Sequence, residues 1–456
     1  MLRSIGSMTV LALLMVGCGG GGGGDSGPPP PPPATYTVAG TVSGLVGSGL
    51  VLQFVDPGTG GRPPSPLPGH GPHDVGLPLQ ITSNGPFTAI ESPPTVGKWL
   101  VARISQQPSP YQFCLLRYPD NLQAGNVTDI EVGCSQFAYV ANAGDNTVSA
   151  YTVDASSGAL AAVGTPVKTG MSPHAIAETP ERTFVFVANE VSNDISAFAV
   201  NFVTGALMPV PGSPFPAGTA PRALETDGGV LYVANAGTDT VSAYGIDGTG
   251  ALTPFSSGTF ATGKGPSAIL QLGPEILYVA NNGGSDDISA FLIGPGALYP
   301  VSGSPFPAGG NPLSLAVADT FLYSANPDAT NPSISGFSID ISTGVLSPLS
   351  GSPFPLPVSH NIATDNASHL YVTSGANVLG YGIDATTGAL TPLPGFPVFA
   401  GANAYSITIE NAQFLYVADD GAANVAAFRI DGTGSLTPIA GSPFAAGSHP
   451  ESIATY

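Results

Sequence analysis

His174, Arg222, His360 and Glu451 are the residues of this chain whose types and spacing suit chemistry. Each follows the residue that opens the first strand of a recurring unit, and the same position is held by Ser267, Leu313 and Tyr405 in the other units. Charged residues make up only 9% of the chain, so His, Arg or Glu at four of seven equivalent places is a departure from the frame around them. An imidazole can act as general base on water, a carboxylate can orient it or serve as base itself, and a guanidinium can hold a carboxylate or a developing oxyanion. Such a set suits ester or lactone hydrolysis. It equally suits a wet channel whose polar linings satisfy one another. His369 and His449 fall just outside this register and read as turn or rim residues.

The elements that must carry these residues are repeats. An aromatic followed by Val-Ala-Asn, or a close variant, begins at Tyr139, Phe186, Tyr232, Tyr278, Tyr323, Tyr371 and Tyr416, at spacings of 47, 46, 46, 45, 48 and 45 residues. A period near 46 residues with strand chemistry predicts the blades of a β-propeller. Each unit reads as four strands, in the third unit Arg222 to Glu225, Leu231 to Ala234, Thr240 to Ile246 and Leu252 to Phe255. Asn235 is expected to turn the chain after the second strand, because Asn tolerates left-handed backbone. The Asp-x-x-x-Gly step (Asp154 to Gly158, Asp340 to Gly344, Asp384 to Gly388) and the Asp-Gly-Thr-Gly step (Asp247 to Gly250, Asp431 to Gly434) read as hairpin turns. The array starts in mid-unit at Phe137 and stops at Glu451 to Ala454 with a first strand alone, so the two ends are expected to complete one blade and close the ring.

Composition agrees with many short strands and tight turns: 61 Gly and 47 Pro. A formal charge of -20 argues against a nucleic-acid partner and reads as a solubility device for an exported, monomeric protein. Residues 1–18 read as a bacterial lipoprotein signal, with Arg3, a short apolar run from Val10 to Val16 and Cys18 as the lipidated residue; the run is too short to span a bilayer. Residues 19–35 hold an unbroken glycine run and an unbroken proline run, a tether from a membrane. Residues 36–134 are predicted to form a small β-rich, sandwich-like domain with strands at Tyr36 to Val42, Leu50 to Val55 and Trp99 to Ile104. With Cys18 taken by lipid, Cys114 and Cys134 are left to pair, and the disulfide should stabilise this domain by about 3 kcal/mol. His70, His73 and Asp74 sit in a Pro/Gly-rich stretch that offers no rigid scaffold for a metal, and neither metal nor cofactor is expected.

From Phe137 onward the repeats resemble the seven-bladed β-propeller lactonase family, which includes bacterial 6-phosphogluconolactonases and muconate-lactonizing cycloisomerases. Tyr-Val-Ala-Asn, Val-Ser-Ala-Tyr and Thr-Gly-Ala-Leu-Thr-Pro recur in order. The resemblance implies an all-β, seven-bladed propeller over residues 135–456, with channel residues His174, Arg222, His360 and Glu451 as its catalytic candidates. A sugar-phosphate substrate is disfavoured, since among Lys168, Arg182, Arg222, Lys264 and Arg429 only Arg222 is placed to reach the channel. The expectation is an exported hydrolase for a neutral or weakly acidic lactone. A non-catalytic propeller that binds a protein or glycan on the cell surface is the alternative.

Overall fold

The computed structural model describes residues 36–46, 48–56, 73–74, 79–91, 101–108, 114–117, 127–328, 330–357, 360–366 and 368–455. The leader with Cys18, the tether and His70 lie outside them. The described residues form strands, turns and no helix, and the chain divides into two compact units at the Gln136–Phe137 bond.

The N-terminal unit has two sheets. In one, Tyr36–Ser43 is central, antiparallel to Gly85–Glu91 and parallel to Val127–Gly133, which also pairs with Leu115–Arg117. In the other, Leu50–Asp56 pairs with Leu79–Ile81, Val101–Gln106 and the two-residue strand His73–Asp74. The stretch expected to be loop therefore gives two residues to a strand edge. Thr41 is exposed and Val42 buried, the alternation of a half-buried strand. Val42, Phe87, Ile130 and Val132 from the first sheet and Leu50, Leu52 and Ile81 from the second share one core. Cys114 and Cys134 are joined by a disulfide beside the hairpin that pairs Leu115 with Gly133, and both are buried in that core.

The C-terminal unit is the propeller. Seven sheets follow one another, each ordered from an inner strand to an outer one: the inner strands are Pro173–Glu178, Pro221–Thr226, Pro266–Leu272, Ser314–Ala318, Ile362–Thr364, Ala404–Glu410 and Pro450–Thr455. The last of these closes the ring. Pro450–Thr455 pairs antiparallel with Gln136–Asn142, with Ile453 opposite Val140, so the first blade is built from both ends of the propeller. In most blades the fourth strand breaks in two, as at Leu207–Pro209 and Phe215–Pro216, where Gly-Ser-Pro-Phe intervenes. The third blade has Ser256-Ser257-Gly258 there and no proline, and its fourth strand runs unbroken over Leu252–Ala261.

The apolar core is distributed between blades rather than gathered at an axis. Seven clusters each draw on two neighbouring blades; one joins Ala138, Val140 and Tyr151 to Phe414, Tyr416 and Val425 across the closure. The repeated tyrosine stitches the same seams. The hydroxyls of Tyr139, Tyr278, Tyr323, Tyr371 and Tyr416 donate to the carbonyls of Gly205, Gly344, Gly388, Gly434 and Gly158 in the next blade, at 2.7 to 3.1 Å. All five have left-handed backbone (φ 68 to 80); Gly158, Gly344, Gly388 and Gly434 end the predicted Asp turns and Gly205 ends a turn opened by Asn201, and the turn aspartate accepts from the following backbone N–H groups, as Asp154 does from Ser156 and Ser157.

The role expected of Asn235 is corrected. It ends the strand Val230–Asn235, is fully buried, and uses its amide to donate to the Ser242 hydroxyl at 2.9 Å and accept from Gly218 N–H at 3.1 Å. The left-handed turn residue of that hairpin is Asp239. A buried amide with its partners satisfied clips the blade together.

Candidate functional site

A proline opens the inner strand in four of the blades, at a place where a missing N–H costs no ladder bond. The next residue is then the extra residue of a β-bulge. Pro173 pairs with Asn189 and Ala175 with Ala188, leaving His174 between them; Arg222, Ser267, Tyr405 and Glu451 stand in bulges of the same kind. A bulge re-aims its side chain and ends regular pairing. Here the result is a cavity of about 190 Å³ at the centre of the ring, lined by His174, Arg222, Ser267, Leu313, Asn361, Tyr405 and Glu451, among others.

Three of the four candidates meet in one charged chain. His174 Nδ1 is bonded to Glu451 Oε2, and the same nitrogen lies 3.9 Å from Glu190 Oε2. Glu190 Oε1 accepts from Arg222 Nε at 2.9 Å and Nη2 at 2.7 Å. All four side chains are partly exposed, between 18% and 38%. The carboxylate of Glu451 therefore accepts a hydrogen bond from Nδ1–H and leaves Nε2 as the acceptor on the other side of the ring. Arg222 spends two donors on Glu190 and retains the others of its fork.

The expectation for His360 is corrected. The sixth blade has no proline before it and its inner strand starts at Ile362, so His360 precedes the strand, and Asn361 lines the cavity in its place. The His360 N–H donates to the Thr373 carbonyl at 3.0 Å, and its ring stands 5.9 Å from that of Tyr405. Burial pulls the His360 imidazole below its ordinary value. The Asn361 side chain itself donates a hydrogen bond from Nδ2 to the Tyr405 carbonyl at 3.0 Å. Burial, and then the nearby Glu451 carboxylate, push the Tyr405 phenol up to about 12, so it is a neutral hydrogen-bond donor in the cavity.

Glu190 was not singled out from the sequence, though a signal existed. It follows Phe-Val-Ala-Asn, where other units have Ala143, Ala236, Asn282, Pro327 and Gly375; only Asp420 is also acidic there. Asp420 accepts from His449 Nδ1 at 2.8 Å, which makes His449 the exposed rim residue expected of it. His369 starts the second strand of the sixth blade and is bonded to Asp365 at 2.6 Å. No group of three metal-ligating side chains occurs among the described residues.

Comparison with known proteins follows the same line. The family model described as "Lactonase, 7-bladed beta-propeller" matches residues 115–220. The chain resembles the seven-bladed lactonase family. A Bacteroides fragilis protein whose 6-phosphogluconolactonase assignment is provisional superposes with a TM-score of 0.60 at 19% identity, over 71% of this chain and 98% of its own. The periplasmic gluconolactonase PpgL of Pseudomonas aeruginosa gives 0.59 at 15% identity, over 70% and 98%. A Lactobacillus plantarum protein gives 0.58 at 15%, over 71% and 99%. At such identities the likeness establishes the shared propeller fold. No curated protein matches the sequence.

Proposed function

We propose that the propeller hydrolyses a small, neutral lactone in its central cavity, with His174 as general base. The observation that carries this reading is the bond between Glu451 and His174 Nδ1, which orients the imidazole and leaves Nε2 to take a proton. Water gives that proton to Nε2 as its oxygen attacks the lactone carbonyl. The oxyanion that forms is met by the uncommitted donors of Arg222 and by the Tyr405 hydroxyl. Collapse breaks the ring C–O bond, the imidazolium returns its proton to the departing alkoxide, and the product is a hydroxy acid. The carboxylate charge of that product beside Glu190 and Glu451 favours its release.

A phosphorylated substrate fits poorly, because among the described residues Arg222 is the one cation lining the cavity and Glu190 already engages it. Turnover of a lactone panel tests the assignment. Activity is expected to fall by about 10²- to 10⁴-fold in both His174→Ala and Glu451→Ala, and activity that survives both substitutions removes the site.

Export by a lipoprotein route belongs to the same proposal. It is supported by Arg3, the apolar run and Cys18 in the sequence and by the disulfide, a bond that persists in oxidising compartments. Labelled palmitate should enter the wild type and not Cys18→Ala. Equal labelling of the two would exclude the anchor.

A further inference from the structure

Blade two alone carries apolar side chains larger than alanine at both of two positions that backbone hydrogen bonds tie together next to His174 and Glu190. Three residues before the channel position, where the other blades have Thr219, Lys264, Gly310, Val358 (counted from Asn361), Ala402 or Ser448, it has Met171. Two residues beyond the Val-Ala-Asn motif, where the others have Gly144, Gly237, Gly283, Asp328, Ala376 or Gly421, it has Val191. The Val191 N–H donates to the Met171 carbonyl at 3.2 Å, and the Glu190 N–H to the Ser172 carbonyl at 2.9 Å, so the two segments are tied. Both side chains are more than half exposed, Met171 at 53% and Val191 at 55%. An apolar pair left in water beside His174 and Glu190 is in the right place to cover apolar surface of a ligand.

The cavity limits what that ligand is. At about 190 Å³ it is near the ~150 Å³ that holds a benzene ring in an engineered cavity. One five- or six-membered ring fits, and a longer substituent must leave through the mouth. Two carboxylates against one guanidinium disfavour an anionic head.

We infer that the substrate is a single-ring neutral lactone carrying an aliphatic chain, and that Met171 and Val191 form the lip that receives the chain. This rests on the lactone reading above for the ring, while the lip is tested by binding alone. The probes are hydrolysis-resistant γ-lactams bearing a methyl or a hexyl group at ring carbon five, titrated calorimetrically into the full-length protein. The hexyl compound should bind about tenfold tighter than the methyl compound. In the double substitution Met171→Ser and Val191→Ser that ratio should drop to about twofold or less, and Met171→Leu with Val191→Ile should keep it.

Chain-dependent lactam binding without turnover of the matching lactones would refute hydrolysis and leave the lip standing. Turnover that depends on His174 but ignores chain length would do the reverse. A ratio that persists in the serine variant, or failure of both lactams to bind, overturns the inference.

Discussion

The strand Pro173–Glu178 ends in a charged cluster at both extremities, and each cluster has two carboxylates and one guanidinium, to which the one near Pro173 adds the His174 imidazole. Near Pro173, Glu190 and Glu451 are partly exposed, and each carboxylate has Arg222 or His174 as partner. At the other end Glu178, Glu410 and Arg182 are buried, and neither oxygen of Glu178 has a hydrogen-bond partner. Burial is the first cause, with Glu410 adding to it and Arg182 opposing, by which the Glu178 carboxyl is pushed up to about 8; burial likewise raises Glu410. Charge type alone does not make a site. Access to water and a partner for every charge decide whether a carboxylate works as an anion or sits in the interior as an acid.

Both clusters share the closing strand, since Glu451 is its second residue and Thr455, hydrogen-bonded to Glu410, ends it. The largest effect is therefore expected from deleting residues 449–456. That leaves Gln136–Asn142 with an unpaired edge, and the propeller should lose its cooperative thermal transition and aggregate. An unchanged melting curve would refute the closure.

The next effect separates the two ends. Glu451→Gln should lower lactone turnover by about 10²-fold or more with little change in stability, because the imidazole loses its anionic partner. Glu178→Gln should leave turnover alone and change stability instead. A similar loss of turnover in both would merge the two clusters into one function.

The pH dependence sharpens this further. A carboxyl whose folded value is raised binds more protons folded than unfolded, so stability falls as pH climbs from about 4.5 to about 8 and is flat beyond. The buried end should contribute a loss of about 3–5 kcal/mol over that window, read by urea denaturation at each pH. Glu178→Gln should flatten the slope, with Glu410, Arg182 and Tyr139 the charged or titratable neighbours left to shape what remains. A slope unchanged by the substitution would place the titration elsewhere.

The smallest effect belongs to the seams between blades. Tyr416→Phe removes the hydroxyl that meets the Gly158 carbonyl across the closure and should cost about 1–3 kcal/mol without touching turnover. A neutral substitution would assign that seam to apolar packing alone.

Much of this was legible in the residues. The repeat period, the Asp turns, the closing strand and the pairing of Cys114 with Cys134 depend on local chemistry or on counting, and a linear chain displays both. His174, Arg222 and Glu451 were found because a changed residue stands out in a monotonous frame. His360 was misplaced by the same logic, since counting cannot see that a blade without the opening proline starts its strand at Ile362. Glu190 was passed over because it lies just past the second strand, which ends at Asn189, and only folding carries the end of that strand back beside the inner one.

The sequence alone determined the number of blades and how the circle shuts, because strand propensity and turn residues repeat along the chain and act over short distances. The three-dimensional structure alone decided which carboxylates are buried and which meet solvent. Glu178 and Glu190 are twelve residues apart and chemically identical, and what separates them is access to solvent and the hydrogen bonds that Glu190 accepts from Arg222. Those are properties of the folded surroundings, which no residue carries by itself.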